Sequence, residues 1–237
     1  MTAFELAVQD VAGVRIARAL GVDRIELCTA LGTGGLTPSR ALIDAAVAAG
    51  TPVHVLIRPR AGDFSYSAEE QRLIVADARV AVDAGAQGVV VGATCGDVVD
   101  ADFVRAVLDV APEVTFHRAF DTVADRDRAL EVLIELGVRR VLTSGGAARA
   151  VEALDELAHL VRYAGGALEV MAGSGITPAN ALRVAATGVP SVHGSAKHRV
   201  AGTMPFALGS ADEAGYETTD EEAAREILTA LRQGQAR

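Results

Sequence analysis

Short apolar runs recur along the chain, and each follows a glycine after two or three intervening residues. The unit reads Gly21-Val-Asp-Arg-Ile-Glu-Leu, Gly50-Thr-Pro-Val-His-Val-Leu-Ile, Gly85-Ala-Gln-Gly-Val-Val-Val, Gly137-Val-Arg-Arg-Val-Leu-Thr and Gly188-Val-Pro-Ser-Val-His. A glycine in that place tolerates the left-handed turn that closes a helix. The repeat of about 30 residues, or twice that, is the length of one βα unit. Helical patterns between apolar runs imply a parallel sheet. The pattern predicts eight strands, near residues 4–8, 24–28, 53–58, 88–92, 114–117, 141–144, 168–172 and 191–193. A last helix is expected near 220–233, with Thr218, Thr219 or Asp220 as its N-cap. Residues 199–217 read as a long loop between strand eight and that helix.

Eight strands in 237 residues fit one domain, a (β/α)8 TIM barrel. The rival is an open doubly wound sheet, which would place a glycine-rich nucleotide loop after its first strand. Here Gln9-Asp-Val-Ala-Gly-Val stands in that position, so the barrel is preferred. Half the residues are hydrophobic and tryptophan is absent, so Ala, Val, Leu and Ile build the core.

Strand parity then brings in chemistry. Residues two apart share a face, so Glu26 goes with Cys28, His54 with Leu56 and Arg58, Thr115 with His117, and Glu5 with Ala7. Strands six to eight would add Thr143, Glu169, Met171 and His193. Barrel interiors are mainly branched and apolar, so charge and imidazole there point to a site. At the same rim, glycine turns follow three neighbouring strands: Ser144-Gly145-Gly146, Gly173-Ser-Gly175 and Gly194-Ser195. Their backbone N–H groups could cradle an anion, with Arg58 and Arg118 adding charge. That gives an enzyme reading, in which a small anionic metabolite, phosphorylated or a carboxylate, meets Glu26 and His117 as general acid and base. His159 reads as a surface residue, and His198 carries no assigned role.

Net charge changes the list of partners. At −9 and without a basic run, the chain is not built for nucleic acid. No apolar stretch reaches the roughly 18 residues of a membrane span, and no leader is expected at the N-terminus. Two cysteines, Cys28 and Cys95, make no disulfide framework, which favours the cytoplasm. Cys28 ends strand two and is the candidate ligand for a soft metal such as Cu(I).

Seven blocks, in order, carry a resemblance. They are Val22-Asp-Arg-Ile-Glu-Leu-Cys28, Gly34-Gly-Leu-Thr-Pro-Ser39, Ile57-Arg-Pro-Arg-Ala-Gly-Asp-Phe64, Thr115-Phe-His-Arg-Ala-Phe-Asp121, Leu142-Thr-Ser-Gly-Gly146, Met171-Ala-Gly-Ser-Gly175 and Val192-His-Gly-Ser-Ala196. Together they resemble the CutC copper homeostasis family over nearly the whole chain, up to about residue 200. The resemblance implies a cytoplasmic barrel, often a homodimer, that handles copper. It maps the family's motifs onto Glu26, Cys28, Arg58, Arg60, Asp63, His117, Arg118, Asp121 and His193. The expected partner is a small molecule or a metal ion. One departure bears on the metal: Ala7 stands where many members carry a strand-one cysteine, which leaves Cys28 without its thiol partner.

Overall fold

Polar side chains start most of the helices. Asp10, Ser39, Ser67, Asp100, Asp125 and Asp220 each accept from a backbone N–H of the first turn that follows them. Ser67 and Glu70 close a reciprocal capping box. Gly21 and Gly137, at φ 62° and 82°, end their helices in the left-handed conformation that the sequence pattern requires.

The structure, a computed structural model, describes residues 2–203 and 215–234. Eight parallel strands alternate with helices: β1 Ala3–Val8, α1 Val11–Leu20, β2 Arg24–Leu27, α2 Arg40–Ala49, β3 Val53–Leu56, α3 Ala68–Asp83, β4 Gly88–Val91 and α4 Ala101–Leu108. Then follow β5 Val114–Phe116, α5 Arg126–Leu136, β6 Arg140–Thr143, α6 Leu154–Ala164, β7 Glu169–Gly173, α7 Ala181–Ala185, β8 Ser191–Gly194 and α8 Glu221–Gln233. The sheet closes, with β8 paired to β1 in register Phe4↔Val192 and to β7 in register Val192↔Ala172. This is the (β/α)8 barrel, and the expected strands lie within two residues of the observed ones. No helix among the described residues is long and apolar enough to cross a membrane.

Two apolar layers result from the strand alternation. The outward residues, such as Phe4, Leu6, Ile25, Val55, Val89, Phe116, Val141 and Val192, join the helices in one large core. Inside the barrel, Cys28, Leu56 and Val90 form a separate small cluster with Leu31 against it. Ala7, Leu142 and Met171 also lie inside, among the polar side chains.

Two expectations need correction. Residues 199–217 are not simply a loop: Lys197–Ala201 pairs antiparallel with Gly215–Thr219, and only 204–214 lie outside the described residues. These strands are largely exposed, so no apolar alternation marks them. A second small hairpin joins Thr94–Cys95 to Val98–Val99 after β4. Thr143 also has the wrong parity. Its strand turns Leu142 towards the barrel mouth, while the Thr143 hydroxyl donates to Asp121 at 2.5 Å. Among the three proposed caps of the last helix, Asp220 is the one whose side chain accepts, from Glu222 N and Ala223 N.

Candidate functional site

Parity delivers one inward side chain from nearly every strand, and these sort into two levels. The lower level is an ion network. Arg24 Nε donates to Glu5 Oε2 at 2.5 Å, and Arg24 Nη2 to Glu169 Oε1 at 3.1 Å. Arg140 donates to Glu169 Oε2 at 2.8 Å and to Thr115 Oγ1 at 3.0 Å. Ser191 Oγ adds a bond to Glu169 at 2.5 Å. Two carboxylates thus meet two guanidiniums, and the burial of each is compensated. Neither arginine was foreseen from the sequence, because a charge at the start of a strand reads as surface.

The upper level opens into a cavity of about 410 Å³ at the carboxyl ends of the strands, a size that suits a small molecule. Glu26, Arg58, His117, Arg118, Gly175, His193 and Ser195 line it, as expected, and Leu31, Phe64, Ser174, Ile176 and Lys197 join them. His193 is held from behind: its Nδ1 lies 2.8 Å from Glu5 Oε1. Burial opposes charge on this imidazole, but Glu26 and Glu5 outweigh it and raise the pKa. Burial also raises Glu5, yet its bond to His193 and the Arg24 charge take it far below the carboxylate range. An ionised Glu5 is an acceptor only, so Nδ1 of His193 is the donor.

Glu26 contrasts with Glu5. It is 6% exposed, and among the described residues no hydrogen bond holds its carboxyl. Burial pushes it up to about 7, with Glu5 adding to the rise and His193 opposing it.

His117 takes a different role from the acid–base group expected. Its Nδ1 accepts from Ala119 N at 3.1 Å, so the ring proton resides on Nε2, which is buried and unpartnered. Burial, with Arg58 nearby, pulls its pKa down to about 3. It is a neutral hydrogen-bond donor, its ring tilted 51° to that of Phe64 with the centroids 4.7 Å apart. Gly92 makes room for it, since a Cβ there would lie 2.5 Å from Nδ1.

Arg58 has few donors left for a ligand. Nη1 binds Thr33 O and Gly35 O, Nη2 binds Gly62 O, all at 3.0 Å, and only Nε lacks a partner. The turn after β6 is likewise filled from within. Asp121 accepts from Ser144 N and Gly146 N at 3.1 Å, from Ser144 Oγ at 2.9 Å and from Arg118 Nε at 2.8 Å. Gly145 N donates to Thr143 Oγ1. The expected cradle of Ser144, Gly145 and Gly146 thus already holds an anion, the carboxylate of Asp121, and none of the four lines the cavity. Gly173 also lies off the cavity; a Cβ there would meet Leu142 at 2.5 Å. Arg60 and Asp63 pair with each other at 3.2 Å on an exposed loop, apart from the cavity.

Cys28 does not reach the mouth either. It is fully buried beside Leu56 and Val90, and its thiol donates to Val8 O at 3.6 Å. Burial raises its pKa well above the usual value, with Glu26 adding to the effect. Its fully buried place against Leu56 and Val90 suits packing. Cys95 is exposed on the hairpin after β4.

These protonation states predict an acid limit. Hydrogen bonds and ion pairs with Arg140, aided by Ser191 and Arg24, hold Glu169 at about 2 against the opposing effect of burial, below its usual 4.5. A depressed carboxylate contributes stability above its unfolded pKa and loses it as pH falls through the folded one. His117, depressed to about 3, acts in the same direction from 6.5 downwards, whereas Glu26, raised to about 7, opposes it down to 4.5. His54, lowered by burial, adds to the loss below 6.5, so stability should fall slightly from pH 6.5 to 4.5 and steeply between 4.5 and 2. Urea midpoints measured across that range are the check; a plateau extending to pH 3 would contradict it.

The chain is thus a closed (β/α)8 barrel whose mouth gathers the Glu26 carboxyl, the imidazoles of His117 and His193 and an apolar wall. The chain belongs to the CutC family, whose model matches residues 2–198. It is 42% identical to the CutC family protein of Pasteurella multocida, over 85% of each chain. With that of Agrobacterium fabrum it shares 40% identity, over 96% of this chain and 93% of the relative. A crystal structure of CutC from Streptococcus agalactiae, described as a candidate copper homeostasis protein, superposes with a TM-score of 0.78 at 30% identity. The match covers 82% of this chain and 99% of that one.

Proposed function

We propose that this protein serves copper homeostasis and works through the cavity at its barrel mouth. Family membership supports the copper role. The observation that carries the reading is the convergence of Glu26, His117 and His193 on one cavity, above a network in which Glu5 and Glu169 are paired with Arg24 and Arg140. A Cu(I) thiolate site does not fit the residues present. Strand β1 offers Ala7, Cys28 is a protonated thiol turned towards Val8 O, and Cys95 is exposed on a hairpin. Cu(I) favours sulfur, whereas carboxylate and imidazole suit divalent ions, so copper at this mouth is copper(II). Residence in the cytoplasm and a homodimeric state belong to the same proposal.

The test is copper challenge of cells that lack the protein. Restoring the wild type should restore growth in excess copper, and restoring Glu26→Ala should not. Equal growth with and without the gene, at every copper concentration, would remove the reading.

A further inference from the structure

Glu5, Glu26 and His193 form, among the described residues, a cluster whose ligand-capable atoms all lie within 4.8 Å of one another. The three are not equivalent. Both oxygens of Glu5 are engaged, Oε2 by Arg24 and Oε1 by His193. Its donor bond to Glu5 fixes the His193 ring and leaves Nε2 as the nitrogen free to ligate. A carboxylate behind a ligating histidine is how metal sites commonly fix the tautomer and strengthen the ligand. Glu26 is the group without a hydrogen bond among the described residues: more than nine-tenths buried, it faces the cavity. Across the same cavity, the buried Nε2 of His117 is also unpartnered. A carboxyl buried this far without a partner either keeps its proton or takes a cation.

We propose that Glu26 and His193 ligate a divalent cation at the barrel mouth, with Glu5 orienting His193 from behind. The remaining coordination positions face the cavity and are open to water or to a small oxygen ligand. One carboxylate and one imidazole suit borderline divalent ions, among which Cu(II) binds most tightly to oxygen and nitrogen donors. Of the cationic side chains lining the cavity, Lys197 is paired with Glu217 at 2.7 Å, Arg118 with Asp121 at 2.8 Å, and Arg58 is held by Thr33 O, Gly35 O and Gly62 O. The site stands on this geometry; that its ion is copper rests on the function proposed above.

Calorimetric titration of the purified full-length chain with Cu2+ or Zn2+, in a buffer that does not bind metal, tests the site. One ion per chain is expected. His193→Gln and Glu26→Gln should each weaken binding by tenfold or more, Glu5→Gln by about tenfold, and Cys28→Ala not at all. With Cu2+, the electron paramagnetic resonance spectrum should show nitrogen coupling that His193→Gln removes. Thermal denaturation confirms that each variant is folded. Folded wild type that binds neither ion at millimolar concentration, or binding that His193→Gln leaves intact, overturns the site. The two proposals fail separately. Zn2+ held at Glu26 and His193 without affinity for copper in either oxidation state upholds the site and removes the copper role. Copper held only as Cu(I), and lost in Cys28→Ala, overturns the site and leaves the copper role standing.

Discussion

A chain ended after Pro190 will lose cooperative folding. The cut removes β8, which pairs with both β1 and β7, and so leaves two open edges in a sheet that has none. It also removes α8, whose Ala224, Ile227, Leu228 and Leu231 are buried in the core. The three larger side chains alone are worth about 1.5–3 kcal/mol each. Their loss is comparable with the whole stability of an ordinary domain, about 5–15 kcal/mol. Urea denaturation followed by circular dichroism is the measurement. The intact chain should unfold in one sigmoidal transition and the shortened one should drift without a midpoint. A sharp transition in the shortened chain would show that closure is dispensable.

Arg24→Met comes next in size. It leaves Glu5, with no exposed surface, deprived of its guanidinium, and removes one of the two cations shared with Glu169. Breaking a buried pair from one side costs about 3–5 kcal/mol, or roughly 6–20 °C in melting temperature for a chain of this size. The double variant Arg24→Met/Glu5→Gln should recover part of the loss, because no charge is then stranded. A single variant within 1 kcal/mol of wild type would mean that Glu5 is stabilised by other groups.

The barrel was legible because its signals are local and repeated. A helix-ending glycine, two or three connecting residues and an apolar strand recur often enough to count units. Parity placed Glu26, His54, Arg58, His117 and His193 inside correctly, since alternation along a strand follows from backbone geometry. It misplaced Thr143, because Arg140, Leu142 and Thr143 offer no apolar alternation that fixes the phase of β6. What pairs with what was not legible. Ser144-Gly145-Gly146 reads as an empty anion seat, and only the fold shows Asp121, from the segment after β5, occupying it. Similarly, Cys28 has the parity of a ligand but is buried against Leu56 and Val90, where Gly35 of the following loop approaches it. The hairpin made by Lys197–Ala201 and Gly215–Thr219 was missed because its strands bury little and meet across a long gap in sequence.

The bond between Glu5 and His193 joins positions 188 residues apart. On the ribosome, at about 5–20 residues per second, some 10–40 s separate the emergence of one from the other. Throughout that interval the first carboxylate is hydrated, its histidine does not yet exist, and the nascent chain can hold nothing at the place where the two will meet. Whatever the finished mouth binds must therefore be acquired after synthesis, by a molecule already folded.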